Sequence, residues 1–259
     1  MEFPLFFPYG GYNMKWTVLG FQSPYPGPGG GTPGYLLETP EGKWLIDCGS
    51  SVISQLGKYV HPWEIDSVIL SHLHNDHIVD LPILHYALLM AKRTGTRVDR
   101  MPIYSPSTPS NRAKQLHDEE YTEVIYYDHQ LTLSLTEELT VQFQKTDHPI
   151  DCYAMKFTFA EKSICYTADT GLEMDWSFFG EGMDLLVIEG TYLHKDSPKE
   201  KRGHLSIREA AQQATRLRAK SCLITHLYPE YDRKDMMREA QQFYSGNLYL
   251  AQIGLEVMV

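Results

Sequence analysis

The six-residue string His72-Leu-His-Asn-Asp-His77 constrains this chain more than any other part of it. It places three imidazoles and a carboxylate directly behind Ser67–Leu70 (SVIL), a short apolar run that reads as a buried strand. Residues two apart in an extended segment project to one side. His72 and His74 can therefore hold one ion together, while Asp76 and His77, placed after the chain turns, can address a second. Neutral imidazole and carboxylate are the ligands of a borderline divalent cation such as zinc. A solvated histidine-rich loop has no need of a buried strand in front of it, so the string reads as a metal site.

The rest of the sequence is that of a folded globular chain. Its 259 residues are 42% hydrophobic and 22% charged, which excludes disordered and fibrous classes. A formal net charge of −10 disfavours broad binding to nucleic acid or to an acidic membrane surface. Four cysteines without a C-x-x-C pair (Cys48, Cys152, Cys165 and Cys222) read as reduced, buried thiols of a cytoplasmic protein. The longest apolar stretch, Ile83 to Ala91, is interrupted by His85 and Tyr86 and is too short to span a bilayer. Residues 1–13 (MEFPLFFPYGGYN) lack the basic start and cleavage site of a secretory leader. They form an extension, a vector-derived remnant or an arm that packs on a neighbour. Residues 14–259 then read as one hydrolase-sized domain.

Strand signals dominate: Lys15–Phe21, a hairpin of Tyr35–Glu38 with Lys43–Asp47, Ser67–Leu70, Glu123–Tyr127, Leu139–Lys145, Tyr153–Phe159, Ser163–Thr167, Leu185–Glu189, Ser221–Thr225 and Leu248–Gln252. Asp80 is placed to cap a helix running to about Arg93, apolar on several faces and so expected to be well buried. Ser206 and Glu209 form a capping box ahead of a second helix, and a third runs from about Arg233 to Tyr244. There is no internal repeat. Strands with interspersed helices indicate an α/β layered chain.

H-x-H-x-D-H at the end of a short apolar strand resembles the metallo-β-lactamase superfamily, and the resemblance extends over most of the chain from Met14. Asp47 in Leu45-Ile-Asp-Cys-Gly49 resembles a buried aspartate that supports the metal loop; on its own it also fits a simple turn residue. His148 in Thr-Asp-His-Pro, Asp169 in Tyr166-Thr-Ala-Asp-Thr-Gly171 and His226 in Ile224-Thr-His-Leu resemble the remaining ligand motifs. The resemblance implies an αββα four-layer sandwich of two mixed sheets flanked by helices. It also implies two divalent cations, zinc first and manganese or iron as alternatives. One would be held by His72, His74 and His148, the other by Asp76, His77 and His226, with Asp169 bridging. His61, His85, His117, His129 and His194 read as surface or packing groups, His129 being the competitor to His148.

Two further motifs point to the ribonuclease Z-like branch. Glu189-Gly-Thr191 follows the strand LLVIE, and Gly203-His204-Leu-Ser206 precedes the capped helix. In that branch the glutamate orients a histidine that helps the leaving group depart, so His204, Glu189 and Asp76 are the expected catalytic residues. Lys195, Lys199, Lys201 and Arg202 form a local basic excess that suits phosphate. The long basic arm that grips transfer RNA in true ribonuclease Z has no counterpart here. The reading is thus a hydrolase of small phosphodiesters such as cyclic nucleotides, using hydroxide generated between two cations. Transfer-RNA 3′ processing is the alternative, although RNA is a disfavoured partner for so acidic a chain. A carbon ester or lactone is the other alternative; thioester hydrolases of the superfamily usually carry a further helical region, and only 33 residues follow His226. The branch also implies a homodimer.

Overall fold

Successive apolar side chains in the first strands require cover on both faces, and this dictates a layered build. The structure, a computed structural model, describes residues 14–129, 131–198 and 203–259. The segment 1–13, together with Lys199, Lys201 and Arg202, lies outside the described residues. The first half holds β1 (Lys15–Gly20), β2 (Gly34–Thr39), β3 (Gly42–Ile46), α1 (Val52–Leu56), β4 (Ser67–Ile69), α2 (Asn75–Ile78), α3 (Leu81–Thr94), β5 (Met101–Ser105), α4 (Ser110–Ala113) and β6 (Thr122–Tyr126). The second holds β7 (Thr132–Ser134), β8 (Leu139–Lys145), β9 (Tyr153–Phe159), β10 (Lys162–Tyr166), β11 (Leu185–Glu189), α5 (Ile207–Arg216), β12 (Ser221–Thr225), α6 (Arg233–Gln241), β13 (Asn247–Leu250) and β14 (Glu256–Met258).

The strands form two mixed seven-stranded sheets, ordered β14-β1-β2-β3-β4-β5-β6 and β13-β12-β11-β10-β9-β8-β7. The expected αββα architecture is what forms. The sequence carries no repeat, yet the sheets share one plan. In each, three antiparallel pairings are followed by three parallel ones. Open sheets with parallel strands bind ligands beyond the strands' carboxyl ends. Here those ends carry Asp47 after β3, the His72–His77 string after β4, Asp169 after β10, Glu189 closing β11 and His226 after β12.

Side-chain alternation divides the core. Trp16, Val18, Tyr35, Leu37, Trp44 and Ile46 point between the sheets and meet Val141, Phe143, Met155, Phe157 and Tyr166. Leu19, Leu36, Leu45 and Val68 point the other way, onto Val52, Ile53 and Leu56 of α1 and Leu81, Leu84 and Leu88 of α3. On the second sheet α5 buries Ile207, Ala210, Ala211 and Ala214. All four cysteines are buried and free. No helix among the described residues is long and apolar enough to cross a membrane.

Two expectations need correction. First, α3 is buried on one face only. Ile83 and Tyr86 are 54% and 67% exposed, and Met90 is also open, because among the described residues no layer covers that side. Second, Asp80 does not cap α3 through its side chain; its Oδ2 instead accepts from the Ile53 amide of α1 at 3.1 Å. The chain turns ahead of Asp76 and His77 as read, since α2 begins at Asn75. The Ser206–Glu209 capping box forms as read, with the Ser206 amide donating to Glu209 at 2.7 Å and the Glu209 amide to Ser206 at 3.3 Å.

Trp16 is fully buried and stacks on Tyr35 with ring centroids 5.1 Å apart. Trp16→Ala leaves a void between the sheets. It is expected to cost about 3–5 kcal/mol of stability in urea unfolding of the metal-free chain; a loss below about 1 kcal/mol would show that the inter-sheet core does not depend on this ring.

Candidate metal centre

The site assembles where strands from both sheets end, and the backbone there turns sharply. Asp47, Ala168 and His226 adopt left-handed φ values of 57°, 51° and 59°. Such conformations are costly for residues with a Cβ and gather at sites that the surrounding structure over-determines. Asp47 is therefore a turn residue and more than that. Its buried carboxylate accepts from the Ser71 amide at 2.7 Å, the Ser71 hydroxyl at 2.9 Å, His77 Nδ1 at 2.8 Å and the Tyr166 hydroxyl at 2.8 Å. These bonds lock the start of the metal loop to β3 and β10.

His72, His74, His148 and Asp169 form one group whose ligand atoms lie within 4.8 Å of one another. His74 Nδ1 stands 3.1 Å from His72 Nε2 and 3.0 Å from His148 Nε2. The outer nitrogens fix the tautomers. The Ser71 hydroxyl gives its one proton to Asp47, so its 3.0 Å contact with His72 Nδ1 makes that nitrogen the donor. His148 Nδ1 donates to the Gly203 carbonyl at 3.0 Å. Gly203 has φ of 68°, and a Cβ there would come within 2.8 Å of His148 Nδ1, so only glycine allows this approach. Burial, reinforced by the neighbouring imidazoles, pushes His74 down to about 4 and also lowers His72. Burial lowers His148 as well, against the pull of Asp169. Burial thus favours the neutral form of all three rings, and the bare Nε2 atoms of His72 and His148 both face His74 Nδ1.

Asp76, His77 and His226 form the second group. Asp169 lies between the two. Its Oδ2 faces His72 Nε2 at 3.5 Å and His148 Nε2 at 3.9 Å, while its Oδ1 faces His77 Nε2 at 3.3 Å and His226 Nε2 at 3.1 Å. His77 Nε2, His226 Nε2 and Asp169 Oδ1 are all buried and none has a hydrogen-bond partner. Convergent, buried, unpartnered donor atoms of imidazole and carboxylate fit a pair of divalent cations. Burial opposes charge on His77, but Asp169, Asp47 and Asp76 outweigh it and raise that imidazole. His226 is likewise driven up to about 10, burial being overcome by Asp169 and Asp76. This surplus of negative field is what a cation would neutralise. Ser23, from the loop after β1, donates to Asp76 Oδ2 at 3.1 Å.

Glu189 belongs to a third group with Asp169, His204 and His226, but its oxygens are already engaged. Oε1 accepts from the Thr170 amide at 3.0 Å and His204 Nδ1 at 2.9 Å; Oε2 accepts from the Thr191 amide and hydroxyl and from the Leu205 amide. It is thereby an orienting group rather than a free ligand. His204 stacks on His226, centroids 5.3 Å apart at 17°. Burial works against its charge, but Glu189 outweighs that and raises it above the ordinary 6.5.

Every candidate for metal binding in the sequence thus comes together in space, with Asp47, Glu189 and His204 around it. His129 is exposed, leaving His148 without its competitor. His61 stacks on Trp63, His117 meets Tyr126, and His194 bonds Ser206. Lys195 is exposed and lines a separate cavity of about 300 Å³ with His194, Arg208 and Glu239. Sequence reasoning missed Ser71, Thr191, Tyr166 and Ser23. The first two stand within the motif strings, one before His72 and one two residues after Glu189, so a search for hydroxyls beside the motifs would have found them.

Comparison with known proteins gives the chain its family. A family model for the beta-lactamase superfamily domain matches residues 43–227. The probable metallo-hydrolase YhfI of Bacillus subtilis is 34% identical over 244 residues, covering 93% of this chain and 98% of that protein. Its crystal structure superposes with a TM-score of 0.90 at 32% identity, covering 95% and 100% of the two chains. A ribonuclease Z of Borrelia duttonii is 24% identical over 86% of this chain and 89% of its own length. A diphosphatase of the PhnP family shares the fold, with a TM-score of 0.76 at 19% identity over 94% and 97% of the chains.

Asp169→Ala removes the one carboxylate facing both groups. Metal analysis of the purified variant is expected to show loss of bound cation along with rate; an intact two-cation content would refute the bridging role.

Proposed function

We infer the function from the premise that this chain belongs to the metallo-β-lactamase superfamily, with relatives named ribonuclease Z, and from the division of Asp169 between two imidazole groups. It is a metal-dependent hydrolase with two divalent cations, zinc being favoured by the imidazole-rich donor set. Its substrates are small phosphodiesters such as cyclic nucleotides. The cations would be held by His72, His74 and His148 and by Asp76, His77 and His226, with Asp169 shared. When bound, they supply a water-derived nucleophile at neutral pH and offset charge on the phosphate oxygens.

The observation that carries the phosphodiester reading is the His204–Glu189 pair beside the second group. Glu189 Oε1 accepts a hydrogen bond from His204 Nδ1 at 2.9 Å, which directs Nε2 elsewhere. Glu189 raises the pKa of His204 and so favours the protonated form, which can pass a proton to an alkoxide as its bond to phosphorus breaks. A nucleotide alkoxide is a poor leaving group and needs this help. Asp76 completes the second group and is itself held by Ser23, so its orientation does not depend on substrate. The net charge of −10 favours a small anion over a long polyanion.

A hydrolysis panel with metal analysis tests this reading. It contains 2′,3′- and 3′,5′-cyclic nucleotides, a chromogenic phosphodiester, a lactone and precursor transfer RNA. Turnover of the cyclic nucleotides is expected. Turnover of the lactone alone, or of precursor transfer RNA alone with a steep salt dependence, would replace it by one of the other two reactions.

His204→Ala is expected to keep both cations yet lose about 10²–10⁴-fold in kcat on an alkoxide-leaving substrate. Full activity would remove this histidine from the reaction. Because its pKa is raised, the protonated form is fully present below pH 6.5 and is lost as pH climbs through the higher folded value. The alkaline limb of kcat should therefore lie above pH 6.5 in the wild type and move to lower pH in Glu189→Gln; an unmoved limb would dissociate that limb from this pair.

A further inference from the structure

Glu189 serves two imidazoles, one directly and one at a distance. Its Oε1 meets His204 Nδ1. Its Oε2 accepts the Thr191 hydroxyl at 2.8 Å, and that hydroxyl lies 2.8 Å from His226 Nδ1. A hydroxyl has one proton to give. Since a carboxylate only accepts, the Thr191 proton goes to Glu189 and His226 Nδ1 is the donor to Thr191. In the neutral ring that a cation requires, His226 then presents Nε2 bare, and Nε2 is the atom that faces Asp169 Oδ1 at 3.1 Å and Asp76 Oδ2 at 3.6 Å.

We propose that Thr191 is a positioning residue whose hydroxyl joins the leaving-group histidine to the second cation group, so that one buried carboxylate sets both. The other end of the site supports this reading by repeating the pattern. There Asp47 takes His77 Nδ1 directly and reaches His72 through the Ser71 hydroxyl. In each half a carboxylate, a hydroxyl and an imidazole stand in line behind a ligand nitrogen. Thr191 is 6% exposed, and both of its hydroxyl contacts are to side chains of the site rather than to backbone. Its role is therefore polar, and its shape alone does not perform it.

The inference rests on the two-cation hydrolase reading and sharpens it by naming what couples the proton donor to the ligands. The test compares Thr191→Val, which keeps the branched shape and deletes the hydroxyl, with Thr191→Ser, which keeps the hydroxyl and deletes a methyl. Zinc affinity of each metal-free protein is measured by competition with a chromogenic chelator. kcat and KM are measured on a 2′,3′-cyclic nucleotide and on a phosphodiester with a p-nitrophenolate leaving group.

The Val variant should bind one of its two zinc ions about 10–100-fold more weakly, the loss typical of removing a partner behind a ligand. At saturating zinc its kcat should fall further on the cyclic nucleotide than on the p-nitrophenyl ester, with KM little changed. The Ser variant should stay near wild type in both respects. A packing role predicts the reverse order, with Val tolerated and Ser impaired, and that order would overturn the proposal. Two ions bound by the Val variant with wild-type affinity would also overturn it. A wild-type chain that binds fewer than two zinc ions would instead sink the hydrolase reading on which the proposal stands.

Discussion

The structure turns on a concentration of buried acids and imidazoles at one rim of an otherwise apolar sandwich. Asp169 is the centre of it, a carboxylate with almost no solvent contact and one oxygen without a hydrogen-bond partner. Burying charge in this way is costly unless it is paired. Around it the chain has arranged imidazoles rather than lysines or arginines, and their outer nitrogens are already committed to Ser71, Thr191, Asp47 and the Gly203 carbonyl. What remains facing inward is a set of ring nitrogens and carboxylate oxygens. Such a set is poorly suited to stabilise itself and well suited to hold cations, and this asymmetry ties the fold to its chemistry.

The two-sheet plan explains how residues so far apart in sequence meet. Both sheets run from antiparallel to parallel pairings, and the parallel strands of each end at the same rim. The first sheet supplies Asp47 and the His72–His77 string; the second supplies Asp169, Glu189 and His226. The rim is stitched across by the loop after β1, where the Leu227 amide donates to the Phe21 carbonyl, the Ser23 amide donates to the Leu227 carbonyl, and the Ser23 hydroxyl donates to Asp76. Asp76 and His226, from different sheets, are thus held to one short segment. Separating the sheets would dismantle the site, so site geometry and inter-sheet packing are expressions of the same contacts.

Much of this is legible in the amino-acid sequence. The local string from His72 to His77 is visible because its ligands are neighbours; Leu139–Lys145 and Tyr153–Phe159 are strands as their apolar alternation indicates, and Leu185–Glu189 and Ser221–Thr225 as their short apolar runs indicate. His148, Asp169 and His226 are single residues in isolation; only their places after strands, read together with a family resemblance, picked them out. Hydroxyls stayed hidden because Ser71 and Thr191 act through three-dimensional position and have no characteristic spacing. The open face of α3 was misjudged for a similar reason: sequence shows that Ile83 and Tyr86 are apolar, but not whether a second layer reaches them. β5 escaped notice because Pro102 interrupts its strand signal, while pairing on both sides holds it in place.

The most direct measurement is anomalous diffraction at the zinc edge from crystals of the wild-type chain grown with zinc. The account predicts two metal peaks, one among His72, His74 and His148 and the other among Asp76, His77 and His226, with Asp169 touching both. A single peak, or a peak coordinated by Glu189 in place of Asp169, would contradict it.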